Sequence, residues 1–216
     1  MFEKEITPSI LNAAPEQRAA VIQTLLKLGI KWIHYDVMDG QFVANHAITV
    51  EEITTFYNRL PKHLCDAHLM VADPFAYARQ LKDVVTCLTV HYEAFATPTA
   101  IHDFVNEFSP TNWIGIAINP TTPVTAIEPI LHLFDLVLIM AVEPGRGGQP
   151  FIATTYDKIR NLRKFIDAER LPTLIQVDGG IKDFNSQQVF AAGANFNVVG
   201  SYLMDNLTQQ ALTKLK

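Results

Sequence analysis

The chain has 216 residues, 49% of them hydrophobic and 18% charged, which is enough apolar material for one well-buried domain spanning 1–216. With 17 basic against 22 acidic residues the formal net charge is −5, and no Lys/Arg run or basic stripe occurs. That balance argues against nucleic acid or an anionic membrane surface as a partner. The one basic cluster, Lys158 to Lys164, is interrupted at helical spacing and reads as a solvated face. Met1-Phe2-Glu3-Lys4-Glu5 has no basic flank followed by an apolar core, so no signal peptide is expected. The longest apolar run, Leu136 to Val142, suits a buried strand and is too short to span a bilayer. Cys65 and Cys87 both fall inside predicted strands, where buried free thiols are expected rather than a disulfide or a metal pair. The expected compartment is cytoplasmic.

Strand-like and helix-like apolar runs alternate from end to end. Ile6–Leu11 reads as a strand, followed by a helix from Pro15 to Leu28 that Gly29 stops. Trp32–Met38 is the second strand, and the helix after it, Thr49–Leu60, has Thr49 as cap and Glu51 and Glu52 in its first turn. Leu64–Val71 and Pro74–Asp83 form the third pair, and Cys87–Glu93 and Thr99–Phe108 the fourth. Trp113–Asn119 is the fifth strand; a weaker helix from Pro123 to Phe134 follows, with Pro129 interrupting its continuity. Leu136–Val142 precedes the clearest amphipathic helix, Thr154–Arg170. Leu174–Asp178 with Ser186–Ala192, then Phe196–Val199 with Leu207–Leu215, complete eight strand–helix units. That repetition predicts an α/β protein of the (β/α)8 TIM-barrel type; a doubly wound open sheet is the competing arrangement.

The barrel is preferred because four strand ends carry chemistry-bearing side chains: His34-Tyr35-Asp36-Val37-Met38-Asp39-Gly40, Asp66-Ala67-His68-Leu69-Met70, His91-Tyr92-Glu93, and Gln176-Val177-Asp178-Gly179-Gly180. A barrel gathers such ends at its C-terminal mouth. His34 and Asp36 are two apart, so they share a strand face about 7 Å apart, and Asp66 and His68 repeat the relation. Two imidazoles and two carboxylates converging there would suit a divalent cation such as Zn²⁺, which nominates His34, Asp36, His68 and Asp178. Any single histidine on a strand reads more simply as structural; the combination points to a site, because charged groups rarely face a barrel interior without a partner or function.

A second set suits an anion. Pro144-Gly145-Arg146-Gly147-Gly148-Gln149, Gly179-Gly180 and Gly200-Ser201 follow strands six, seven and eight, where backbone N–H groups can approach a phosphate. Met38, Met70 and Met140 close three strands and read as core fillers that could also wall off solvent at the mouth. His91 and Glu93 lie near the mouth as structural support or as catalysts, while His46, His63, His102 and His132 receive no role.

With these residues assembled, the chain resembles the ribulose-phosphate 3-epimerase family over nearly its full length. Thr7-Pro8-Ser9-Ile10-Leu11, the segment from His34 to Gly40, Phe42-Val43-Ala44-Asn45, His68-Leu69-Met70-Val71, Asn119-Pro120-Thr121-Thr122-Pro123, the segment from Pro144 to Gln149, and Val177-Asp178-Gly179-Gly180 are similar to its signatures, in order. The resemblance implies a ribulose-phosphate-binding barrel that inverts C3 of a ketose phosphate, D-ribulose 5-phosphate to D-xylulose 5-phosphate. It implies a divalent cation, Zn²⁺ first with Fe²⁺, Mn²⁺ or Co²⁺ as alternatives, held by His34, Asp36, His68 and Asp178. It makes Asp36 and Asp178 the paired acid and base working through an enediolate, puts Ser9 and His68 on the substrate, and gives the phosphate to Gly145, Arg146, Gly147, Gly148, Asp178, Gly179, Gly180, Gly200 and Ser201. A homo-oligomer is also implied.

Four positions depart from the family pattern. Glu143 stands for asparagine, Arg146 for phenylalanine, Ala44 for proline, and Tyr92 for the proline of His-Pro-Glu. None is a proposed ligand. Arg146 can touch phosphate, pair with Glu143 or lie in solvent, the last two being favoured. The loop changes leave a D-allulose 6-phosphate 3-epimerase as the alternative within the same chemistry. A sugar-phosphate lyase and a non-catalytic sugar-phosphate-binding protein are the alternatives outside it.

Overall fold

A computed structural model describes residues 4–216. Residues 1–3, which carry part of the leader expectation, lie outside that range. Eight parallel strands run Glu5–Pro8 (β1), Trp32–Met38 (β2), Leu64–Met70 (β3), Cys87–His91 (β4), Trp113–Ile118 (β5), Leu136–Met140 (β6), Leu174–Asp178 (β7) and Phe196–Val199 (β8). They pair in the order β1-β8-β7-β6-β5-β4-β3-β2, and a parallel bridge between Ser9 and His34 joins the two outer strands, so the sheet is a nearly closed barrel. The doubly wound alternative is excluded.

Helices Arg18–Lys27 (α1), Val50–Arg59 (α2), Pro74–Leu81 (α3), Pro98–Phe108 (α4), Thr155–Ala168 (α5) and Ser186–Ala192 (α6) alternate with the strands, and Ser201–Asp205 (α7) and Gln209–Leu215 (α8) follow β8. Their starts are chemically marked: Thr49, Asp73, Thr97 and Thr208 each accept a backbone N–H three residues on, and α3 and α4 open on proline. The expected helix between β5 and β6 is absent. Two 3-10 turns, Val124–Ala126 and Glu128–Leu133, stand in its place, since Pro129 has no N–H to continue an α-helical ladder. The α7 helix was not anticipated; five residues are too few to show a period.

Strand alternation sorts the core into two environments. Ile33, Tyr35 and Val37 of β2 point outward into the apolar layer beneath the helices, a pattern the other strands repeat. Inward positions fill the barrel. Trp32, Cys87, Leu136, Leu174 and Phe196 plug the N-terminal end, where the Trp32 ring lies 5.6 Å from Trp113 and 5.7 Å from Phe196. Above that plug the interior changes character: His34, Asp36, Asp66, His68, Thr89 and His91 are all buried. A sealed floor with charge stacked above it directs the polar groups toward the C-terminal mouth. Cys65 and Cys87 are buried free thiols, as expected, and burial pushes the Cys65 thiol up to about 12. Among the described residues no helix is long and apolar enough to cross a membrane.

Candidate active site

Four of the nominated side chains meet at one point. One ligand-competent atom from each of His34, Asp36, His68 and Asp178 lies within 4.8 Å of the others. His34 Nε2 and His68 Nδ1 each sit 3.4 Å from Asp36 Oδ1 and 3.7 Å from Asp178 Oδ2. These two nitrogens are fully buried and have no hydrogen-bond partner. Buried polar atoms are seldom left unsatisfied, so a missing group is the physical reading. Tetrahedral ligation at about 2.0–2.2 Å spaces ligand atoms about 3.3–3.6 Å apart, close to what these pairs show. The cluster therefore fits a divalent cation.

Each histidine is oriented from behind. Directly opposite His34 in the β2–β3 register is Asp66, whose carboxylate lies 2.9 and 3.1 Å from His34 Nδ1. His68 Nε2 contacts His91 Nε2 at 2.8 Å, and His91 Nδ1 contacts Glu93 Oε2 at 3.2 Å. Glu93 Oε1 accepts from the Asn119 N–H at 2.9 Å and from the Thr122 hydroxyl. His91 and Glu93 thus stand behind His68 as support. Ser9, at the β1–β2 closure, donates its hydroxyl to Asp36 Oδ2 at 2.6 Å.

The electrostatics separate the groups. Burial would raise the Asp36 carboxyl, but the facing His34 and His68 outweigh it and hold the group below the usual carboxylate range. Burial, reinforced by the Asp36 charge, pushes Asp178 up to about 7. Burial lowers His68 to about 4. Burial opposes a charged His34 as well, yet Asp66 and Asp36 raise it well above its usual value.

Above this floor opens a cavity of about 530 Å³, counting the space open to solvent at its mouth. Ser9, Asp36, Gly145, Arg146, Gly147, Gly148, Asp178, Gly179, Gly180, Gly200 and Ser201 all line it, so the cation set and the anion set share one chamber. His34 and His68 lie beneath its floor, both fully buried. Met38, Met70 and Met140 line it as well and are almost entirely buried, forming an apolar collar. The glycines have separate reasons to be there. Gly180 has φ +65, and a β-carbon on it would collide with the Phe151 backbone, whereas a β-carbon on Gly147 would strike the Asn12 side chain.

Several contributors were not anticipated. Asn12 lines the cavity beside Gly147 and Gly200, and no motif marked it. Asn45 Nδ2 donates to Gly145 O at 2.7 Å, tying the loop after β2 to the glycine loop. Gln149 Nε2 clamps that loop through Glu143 O and Arg146 O at 2.7 and 2.9 Å. Arg146 and Glu143 are both exposed, and among the described residues no ion pair joins them. Arg146 is thus unpaired with Glu143 and lines the cavity at its exposed mouth. Lys158 departs from the solvated face expected of it: its ammonium donates to the carbonyls of Asn119, Pro120 and Thr122 at 2.8, 2.9 and 2.7 Å.

A family model described as the ribulose-phosphate 3 epimerase family matches residues 5–204. A ribulose-phosphate 3-epimerase of Synechocystis sp. is 39% identical over 198 residues, covering 91% of this chain and 85% of the relative. The chloroplastic ribulose-5-phosphate-3-epimerase of Arabidopsis thaliana is 38% identical over 199 residues, covering 91% and 70%. The ribulose-phosphate 3-epimerase of Schizosaccharomyces pombe is 37% identical over 205 residues, covering 93% and 87%. Among solved structures, a 3-hexulose-6-phosphate synthase superposes with a TM-score of 0.73 at 15% identity over 98% of this chain and 97% of that one. A mutant tryptophan synthase α-subunit from Pyrococcus furiosus superposes with a TM-score of 0.68 at 16% identity, over 100% and 99%. At those identities the structural matches speak to the barrel alone.

Proposed function

The chain belongs to the ribulose-phosphate 3-epimerase family and is a carbohydrate epimerase with a phosphorylated sugar as substrate, and from that premise we propose that it interconverts D-ribulose 5-phosphate and D-xylulose 5-phosphate by two-base proton transfer. The observation that carries the proposal is the cluster itself: two buried, partnerless imidazole nitrogens facing two carboxylates that differ in proton affinity, at the floor of a glycine-lined cavity.

Epimerising a carbon beside a ketone removes its proton from one face and returns one to the other. Two acid–base groups are needed on opposite flanks of a planar enediolate. Asp36 and Asp178 enter the cavity from β2 and β7, which β1 and β8 separate in the ring. In the cation-free protein Asp36 is held below the usual carboxylate range and Asp178 is pushed up to about 7, so the two carboxyls differ in proton affinity. The Ser9 hydroxyl fixes Asp36 Oδ2 and so aims its other oxygen. His34, Asp36, His68 and Asp178 would hold the cation, and mixed imidazole–carboxylate ligation suits Zn²⁺. When bound, it supplies positive charge beside the oxygens on which negative charge develops. Backbone N–H groups of the loops after β6, β7 and β8 bind the phosphate, anchoring the sugar away from the reacting carbon. The methionine collar keeps water from the carbanionic carbon.

Parallel assays with D-ribulose 5-phosphate and D-allulose 6-phosphate test the substrate. The pentose phosphate is expected to give the larger kcat/KM, and turnover in D₂O should place deuterium at C3. A preference for the hexose phosphate would move the substrate assignment, and product free of deuterium would sink the proton-transfer scheme.

A further inference from the structure

We propose that Glu93 and His91 form a hydrogen-bond relay that dictates which nitrogen of His68 is bare, so that its Nδ1 lone pair faces Asp36 and Asp178. Glu93 is then a positioning residue for the cation site. The consequence for cation binding rests on the metal-dependent reading above; the relay itself rests on donors and acceptors alone.

The polarity can be followed from one end. A backbone N–H only donates, and Glu93 Oε1 receives the N–H of Asn119 at 2.9 Å together with the Thr122 hydroxyl. That leaves Oε2, 3.2 Å from His91 Nδ1, to accept an imidazole N–H. A neutral imidazole carries one proton. With it on Nδ1, the Nε2 of His91 can only accept. The atom 2.8 Å away is His68 Nε2, which must therefore donate. The two rings are inclined by 23° with centroids 4.9 Å apart, as an end-to-end hydrogen bond in the ring planes requires. His68 thus carries its proton on Nε2, and Nδ1 is bare. That nitrogen is buried, partnerless, and 3.4 and 3.7 Å from Asp36 Oδ1 and Asp178 Oδ2, the place where a cation would be held.

The arrangement parallels His34, whose other nitrogen meets the Asp66 carboxylate directly. For His68 the carboxylate is one residue further back, with His91 inserted as the link. His91 is fully buried, and the Phe42 ring lies 4.8 Å from it, which excludes water from the link. The far end is anchored too. Lys158 gathers the carbonyls of Asn119, Pro120 and Thr122, and so holds the loop that supplies both donors to Glu93. A lysine of α5 thereby influences a histidine of β3 with which it has no hydrogen bond.

The first test needs no substitution. Long-range ¹⁵N–¹H correlation spectra of the chelator-stripped protein are expected to show His68 as the Nε2–H tautomer, and a proton on Nδ1 would overturn the relay. The second uses Glu93→Gln. Only the amide oxygen of glutamine accepts, so it cannot serve His91 on one side and Asn119 with Thr122 on the other. Zn²⁺ affinity, measured by competition with a chromogenic chelator, is expected to fall about 10- to 100-fold, and Lys158→Met should lower it less. Wild-type affinity and an unchanged His68 tautomer in Glu93→Gln would overturn the proposal; if that variant does not fold, the wild-type spectrum decides alone. A wild-type protein that binds no cation yet shows the Nε2–H tautomer would refute the metal-dependent reading while leaving the relay standing.

Discussion

The carboxylate of Asp66 grips the imidazole of His34 at Nδ1 with both oxygens, 2.9 and 3.1 Å away, from the position directly across the β2–β3 ladder. The grip turns His34 Nε2 into the cavity floor, toward Asp36 and Asp178. Asp66→Asn replaces one acceptor oxygen with an NH₂ group that can face the ring and invert its tautomer. The variant is expected to keep its secondary structure while binding Zn²⁺ about 10- to 100-fold more weakly. Chelator competition measures this; undiminished affinity would mean that His34 holds its orientation without the carboxylate.

Asp178 sets the pH behaviour of the cation-free protein. Burial and then the Asp36 charge push its carboxyl up to about 7 in the folded chain, above the unfolded value of about 4. A raised carboxyl contributes stability that is complete below the unfolded value and lost as pH rises through about 7. In chelator-stripped protein, Asp178→Asn should therefore melt higher than wild type at pH 8 and level with it at pH 4. Adding Zn²⁺ should reverse the order at pH 8, because the carboxylate then becomes a ligand. Calorimetric scans at the two pH values decide it.

The same substitution removes one of the two proposed proton carriers. Epimerisation by Asp178→Asn should fall on the order of a thousand-fold, and the initial rate of C3 deuterium exchange in D₂O should report which half of the transfer survives. Retained activity would remove Asp178 from the chemistry.

The period of two along a strand was enough to place His34 and Asp36 on one inward face, and likewise Asp66 and His68. It could not say that Asp66 serves His34 rather than His68. That depends on the register between β2 and β3, which pairs position 34 with 66 and position 36 with 68, and spacing along a chain carries no register. His91 and Glu93 were visible near the mouth for the same reason, while their order behind His68 was not. The strand of 136–142 ends at Met140, and beyond it Ala141 O takes the Ile152 N–H, a bond outside any local pattern. Lys158 was misread on similar grounds. Helical spacing described the face it lies on but not the three carbonyls of a distant loop that fold over it.

The glycine loops proposed to bind phosphate separate binding from stability. Gly148 has φ +77 with nothing near the place a β-carbon would occupy, so Gly148→Ala meets backbone strain of about 1–2 kcal/mol and no collision. That strain turns the local N–H groups away from the anion. KM for the sugar phosphate should rise several-fold and inhibition by inorganic phosphate should weaken in proportion, with kcat changed less. Gly180→Ala, which also strikes the Phe151 backbone, should instead lower the melting temperature markedly. Equal thermal effects from both would show that the Gly148 segment is held as rigidly as the Gly180 turn.

Away from the site, one carboxylate ties two helices together. Glu52 Oε1 lies 2.7 Å from the guanidinium of Arg18, a side chain only 8% exposed, while Glu52 Oε2 accepts the Thr49 N–H at 3.0 Å and closes the capping box of α2. Glu52→Ala removes the acceptor and the side-chain half of the capping box, while the Thr49 hydroxyl still accepts the N–H of residue 52. Among the described residues, the Arg18 guanidinium would keep the Ala13 carbonyl at 3.3 Å as its one hydrogen-bond partner. A nearly buried cation stripped of its partner costs about 3 kcal/mol and the lost bond from the Thr49 N–H about 0.5–1 kcal/mol, so the urea midpoint should drop by the equivalent of about 3–4 kcal/mol. Glu52→Gln, which retains an acceptor, should cost less than half as much. The double variant Arg18→Met/Glu52→Ala should be more stable than Glu52→Ala alone, because the stranded charge is gone; a double variant as unstable as the sum of its parts would show that the pair contributes through packing rather than charge.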